Sequence, residues 1–301
     1  MKKAGKILLI LIAIAAVLLV YLIRKQAVPK NYENGETGGP LEEKYLAHGS
    51  YEVSFTSEKA MQDFQKYEIW YPSALTDSDT VWPVIVISNG TGIKASKAKQ
   101  MFRHFASWGF IVIGTEEEYS WNGFSAEMSL THLLRRNEDP DSIFYHHINT
   151  EAIGALGHSQ GGVGAINAAT EQAHGSYYRT IVAESPTAMD LADALEWSYA
   201  PSGITVPVLL LASTGSMDEN TVIPLSSLQK IYDAVPDEVM KVMARHNNAD
   251  HSNMLYCADG YVTAWFLYQL CGDAEAGTVF TENGELRQNS LYQDVQISAG
   301  S

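Results

Sequence analysis

Residues 152–162 read Ala152-Ile153-Gly154-Ala155-Leu156-Gly157-His158-Ser159-Gln160-Gly161-Gly162, and the reading of this stretch decides the fold. Ala152–Leu156 is a short, solidly apolar run of the kind that forms a strand buried on both faces. Small residues from Gly162 to Glu171 then suit a helix packed close to a sheet. Between them lies G-x-S-x-G in a strand–turn–helix context. In that context the serine sits on a sharp, strained bend that lifts its hydroxyl above the sheet edge. A side chain two positions before or after the serine would crowd the bend, and Gly157 and Gly161 remove it. The helix N-terminus aims free N–H groups and its positive dipole end at the same place. The spacing fits neither a dinucleotide fingerprint nor a phosphate-binding loop with its lysine.

Working outward, apolar runs at Val84–Ser88, Phe110–Gly114, Thr180–Ala183, Val206–Ala212 and Val239–Ala244 predict further buried strands. Patterns of 3.6-residue period predict helices at Ser96–Trp108, Ser125–Asn137, Leu225–Ala234 and Ala258–Leu270. Alternating strands and helices make an α/β protein with a mostly parallel central sheet and helices on both faces. Two earlier segments, from Tyr51 and from Tyr67, alternate polar and apolar residues and predict a pair of antiparallel strands. The tail after Gly272 is polar and is expected to run along the surface.

A serine hydroxyl is a weak nucleophile and needs a base. After a serine at such a bend the expected order is acid, then histidine. Three histidines follow Ser159: His174, His246 and His251. His174 closes the helix after the serine and should point away. His246 ends the last predicted strand. His251 follows it in a polar loop, Asn247–Ser252, which can carry an imidazole over the serine, so His251 is the expected base and His246 its reserve. The acid that would hold the imidazole in one tautomer is expected after Val206–Ala212, where Asp218 and then Glu219 stand; Asp190 and Asp193 are further candidates. An oxyanion needs two donors. The expected pair is the N–H of Gln160, next to the serine, and the N–H of Thr91 in Asn89-Gly90-Thr91-Gly92.

Other groups carry weaker signals. Glu116-Glu117-Glu118 reads as a solvated acidic loop. Tyr119, Trp121 and Phe124 follow a strand end, where loops line sites in open α/β sheets; they either wall the site or pack in the core. Cys257 and Cys271 flank a predicted helix that spans roughly 21 Å, too far for a mutual disulfide, and are expected to be buried free thiols. No cysteine-based metal cluster is possible with two cysteines, and the chemistry above requires no metal or organic cofactor.

The 301 residues carry 20 Lys and Arg against 35 Asp and Glu, a net charge of −15. Five of the basic residues and none of the acidic ones lie in the first 25, so the remainder stands at −20. Such a surface repels phosphate backbones, which excludes nucleic acid as a partner. Lys2, Lys3 and Lys6 precede an uncharged run, Ile7–Ile23, closed by Arg24 and Lys25. As a helix it reaches about 25 Å, near the lower limit for a bilayer. Residues 1–25 are therefore expected to be an uncleaved transmembrane signal anchor, with the bulk of the chain on the extracytoplasmic side of the cell membrane. Residues 26–45, with Pro29, Asn34-Gly35 and Gly38-Gly39-Pro40, are expected to be a flexible linker, and residues 46–301 one catalytic domain.

Taken together, these residues make the chain resemble the α/β-hydrolase superfamily, and within it the cutinase-like polyester hydrolases and the dienelactone-hydrolase and chlorophyllase-type esterases. The resemblance covers roughly residues 80–272. It is carried by Val84-Ile85-Val86-Ile87-Ser88-Asn89-Gly90, Phe105–Ile113, Gly157–Gly162, Thr205–Leu209, Ala249-Asp250-His251 and Val262–Leu267. It implies a serine esterase with Ser159, Asp218 and His251 at the matching positions, acting on a small-molecule, lipid-like or polymeric ester through an acyl-enzyme. The same residues would serve an acyltransferase, in which an alcohol replaces water, or survive in a non-catalytic binding module. The chain also departs from those polyester hydrolases. Thr91 stands where they carry Tyr, Gln160 where they carry Met, and Ser185-Pro186-Thr187 where they place a Trp.

Overall fold

The structure, a computed structural model, describes residues 27–61, 64–77, 79–247 and 249–300. Its centre is a nine-stranded sheet: β1 (Val53–Lys59), β2 (Lys66–Pro72), β3 (Trp82–Ser88), β4 (Ile111–Thr115), β5 (Ile148–His158), β6 (Tyr178–Glu184), β7 (Val208–Ser213), β8 (Lys241–His246) and β9 (Tyr292–Ser298). The spatial order is β1-β2-β4-β3-β5-β6-β7-β8-β9. Strands β3 to β8 run parallel, while β1, β2 and β9 pair antiparallel at the two edges. The sheet is thus mostly parallel, as the apolar runs predict. The antiparallel pair expected from Tyr51 and Tyr67 is β1 and β2.

The α-helices longer than four residues are α1 (Pro40–Leu46), α2 (Lys99–Ser107), α3 (Phe124–Glu138), α4 (Gln160–Thr170), α5 (Met189–Ala194), α6 (Leu225–Ala234) and α7 (Asp259–Cys271). Successive side chains of a strand face opposite sides, and this period divides the core in two. Ile85, Ile87, Leu156, Val182 and Leu209 pack with α1, α2 and α7 on one face. Val84, Val86, Ile153, Ala155, Ile181 and Leu210 pack with α3, α4 and α6 on the other. Both faces of the parallel strands are covered, which explains why their sequences are continuous apolar runs.

Three expectations are corrected. The segment read as a linker is packed over its described part: Ala27 N–H donates to the Lys97 carbonyl at 2.8 Å, and Val28, Tyr32, Tyr45 and Leu46 are buried. Leu41, Tyr45 and Leu46 give α1 an apolar side that joins the core cluster containing α7, a signal hidden among glycines and acids. The tail after Gly272 ends in β9, whose Tyr292, Val295 and Ile297 join the same core and whose backbone closes the open edge of β8. Of the two thiols, Cys257 is half-buried and Cys271 exposed; Cys271 is the last residue of α7 and escapes cover. The proposed anchor, residues 1–25, lies outside the described residues. Among the described residues no helix is long and apolar enough to cross a membrane.

Candidate active site

Strand β5 lies in the middle of the sheet, hydrogen-bonded to β3 and β6, and delivers Ser159 at its C-terminal end. Ser159 has φ 59° and ψ −125°, a left-handed conformation costing of order 1–3 kcal/mol for a residue with a side chain. The surroundings hold it there: its N–H donates to the Glu184 carbonyl at 2.8 Å, and its carbonyl accepts from Gly162 N–H at 2.9 Å. The two glycines act as the sequence suggests. A Cβ on Gly157 would collide with the Gly161 carbonyl, and one on Gly161 with the Ser88 carbonyl.

Ser159, His251 and Asp218 come together from three places in the chain. His251 Nδ1 lies 2.6 Å from Asp218 Oδ1, and Nε2 lies 2.9 Å from Ser159 Oγ. A carboxylate accepts, so Nδ1 carries the proton and Nε2 presents its lone pair to the serine hydroxyl. His251 opens a short helical turn whose N-cap, Asp250, accepts from the His251 N–H at 2.9 Å. Asp218 is fully buried and opens a π-turn, Asp218–Val222, after β7. Its Oδ2 accepts from Ser213 N–H at 2.9 Å, Ser213 Oγ at 2.6 Å and Ser185 Oγ at 2.6 Å. Burial alone would raise the Asp218 carboxyl; the hydrogen bonds from His251, Ser185 and Ser213 outweigh it and hold it below the usual carboxylate value.

The other candidates are engaged elsewhere. Glu219 pairs with Arg245. Asp190 pairs with Lys230 at 3.1 Å, and Asp193 accepts from Ser198 at 2.8 Å. His174 pairs with Glu127 at 2.6 Å. His246 bonds the Asn247 carbonyl and packs edge-on against Tyr292.

Gln160 is the first residue of α4, where N–H groups have no intrahelical acceptor, and Thr91 sits exposed in the loop after β3. Among the described residues neither main-chain N–H donates to a protein acceptor. The Gln160 side chain turns away and accepts from Ser120 N–H at 2.9 Å, tying the loop after β4 to the bend. Tyr119 in that loop and Phe124 at the start of α3 are exposed and Trp121 is half-buried, so the aromatic cluster is not core. The acidic run is only partly solvated. Glu116 is buried, because its carboxylate accepts from Ser96 N–H and Oγ at 2.9 and 2.7 Å.

Two supports were not singled out from the sequence: Ser185 and Ser213, the donors to Asp218. Each stands at or just after a strand's C-terminal end, the edge that carries sites in such sheets, and that position is the signal. A polar residue there is common enough to pass unnoticed.

Comparison with known proteins bears on the chemistry. The family model described as "PETase: PET hydrolase-like" matches residues 31–271. A bis(hydroxyethyl) terephthalate hydrolase from Streptomyces coelicolor is 26% identical over 253 residues, covering 79% of this chain and 73% of that protein.

Proposed function

Since the chain belongs to the PET hydrolase-like family and is a carboxylic ester hydrolase of the α/β-hydrolase superfamily, we propose that it cleaves esters through Ser159, His251 and Asp218. Ser159 Oγ attacks the ester carbonyl while His251 Nε2 takes its proton. Asp218 holds the imidazole in the required tautomer and stabilises the cation that forms. The N–H groups of Gln160 and Thr91 receive the negative charge that develops on the carbonyl oxygen. The alcohol leaves with a proton from His251, and water, activated by the same base, releases the acid from Ser159.

The observation that carries this reading is the unbroken run of hydrogen bonds from Ser159 Oγ through His251 to a buried carboxylate with four donors. The family's substrate class supports hydroxyalkyl esters of aromatic acids, including ester ends of a polymer. Ser159→Ala is the test. It should abolish hydrolysis of short p-nitrophenyl esters and of bis(hydroxyethyl) terephthalate; activity at the wild-type rate would remove Ser159 from the reaction.

A further inference from the structure

His158, the residue before the nucleophile, has no part in the reaction written above, yet it touches the base. Its Nε2 lies 2.7 Å from the His251 main-chain carbonyl, and the two rings stand 4.7 Å apart at 40°. We propose that His158 is a positioning residue for His251, gripping its backbone from beneath while Asp218 grips its ring.

The argument begins with geometry. Asp218 holds the imidazole at Nδ1 and Asp250 holds the His251 N–H, which leaves the carbonyl side of the same residue to be fixed. Holding that carbonyl fixes the peptide from which the side chain projects and helps keep Nε2 aimed at Ser159 Oγ. A carbonyl only accepts, so His158 must hold its proton on Nε2 and its lone pair on Nδ1. Nδ1 is buried and has no partner among the described protein atoms. His158 lines a small cavity of about 10 Å³, at the lower limit for a single water. Glu184 borders the same cavity; it pairs with His158 across β5 and β6, and both of its carboxyl oxygens are likewise unpartnered.

Charge fits the same role. Burial, and then the neighbouring His251, lower the His158 pKa to about 3. The ring is therefore neutral while His251 takes up its proton, and it adds no repulsion to the cation formed beside it. Glu184 is pushed the other way, with burial and then Asp259 raising its carboxyl well above the usual value. It keeps its proton and, like His158, lines the small cavity without adding a charge to it.

The inference rests on His251 being the base, and the test separates the two. His158→Phe keeps a ring without a donor, and His158→Gln places an amide N–H near the position of Nε2. Both are compared with the wild type on a p-nitrophenyl ester between about pH 6 and 9, with fluorophosphonate labelling of Ser159 as a second readout. The Phe variant should lose about 10- to 100-fold in kcat and in labelling rate, with KM changed by less than about twofold. Because the ring is neutral throughout, the loss should be one constant factor at every pH. The Gln variant should return to within about fivefold of wild type. Should the Phe variant fail to fold, His158→Leu carries the same expectation. A Phe or Leu variant with wild-type kcat, a Gln variant as slow as Phe, or a loss confined to KM overturns the proposal. Activity surviving in Ser159→Ala would instead overturn the reading beneath it.

Discussion

Ser185 Oγ donates to Asp218 Oδ2 at 2.6 Å. The loop after β6, where the polyester hydrolases it resembles place an aromatic clamp, here buttresses the carboxylate. After His251, it and Ser213 supply the donors that keep Asp218 ionised in a buried place. A group with a depressed folded-state pKa stabilises above its unfolded value, and that stabilisation is lost as pH falls through the folded one. Ser185→Ala should therefore move the acid-unfolding midpoint, followed by circular dichroism, to higher pH. It should also cost about 1.5–3 kcal/mol near neutrality, the usual worth of a hydrogen bond to a charge. An unmoved acid midpoint would contradict this.

Asp218 and Glu219 are adjacent but differently employed, one on His251 and the other on Arg245. Asp218→Asn leaves the shape and favours the wrong imidazole tautomer, so kcat should fall by about 10⁴. Glu219→Gln, which removes the exposed partner of a buried Arg245 that Asp294 still pairs, should stay near wild-type kcat and lose only about 1 kcal/mol. Reversed magnitudes would make Glu219 the acid.

Glu184 and Asp259 are both fully buried, no cation pairs with either among the described residues, and the one hydroxyl facing Asp259 is that of Tyr32. Burial raises both, Glu184 further through Asp259, with Tyr32, Cys257 and Glu42 as the other titratable neighbours. Here the sign is opposite to that of Asp218. A raised folded-state pKa gives stability that is complete below the ordinary carboxylate range, about 4, and is lost as pH climbs through the raised value. Differential scanning fluorimetry should show the wild-type Tm declining on the alkaline side, and Glu184→Gln with Asp259→Asn should flatten that decline. An equal slope in the variant would mean that neither group carries it.

Strand β9 supplies Asp294 to Arg245 at 2.7 Å and the Tyr292 hydroxyl to Glu42 at 2.9 Å. Stopping the chain after Asn289 removes both and bares the β8 edge. Thermal unfolding should shift down by about 10 °C or more, with aggregation through the exposed edge. A truncated protein of unchanged Tm would show that β9 is dispensable.

The parallel strands were legible because strands covered on two faces need nearly every residue apolar, and Val84–Ser88 or Val206–Ala212 can be read no other way. The bend at Ser159 was legible because only glycine fits at 157 and 161. Helix α1 and strand β9 were not, because each buries only one side; Glu42, Glu43 and Lys44, or Gln293 and Asp294, then dilute the pattern to that of a loop. The partners of Asp218 were out of reach for another reason. Ser185 is 33 residues distant, and nothing local to a serine announces which carboxylate it will face.

Glu42, on α1, is buried with its oxygens bonded to Gly38 N–H, Asn289 Nδ2 and Tyr292 OH. Two of those three partners are made some 250 residues later in synthesis. Without them this buried carboxylate keeps only the local Gly38 N–H to offset its dehydration, so the first helix depends for its docking on the far end of the fold. A chain interrupted before β9 therefore lacks a partner that only the last strand brings to the first helix, and its opening segment is held less firmly to the hydrolase body.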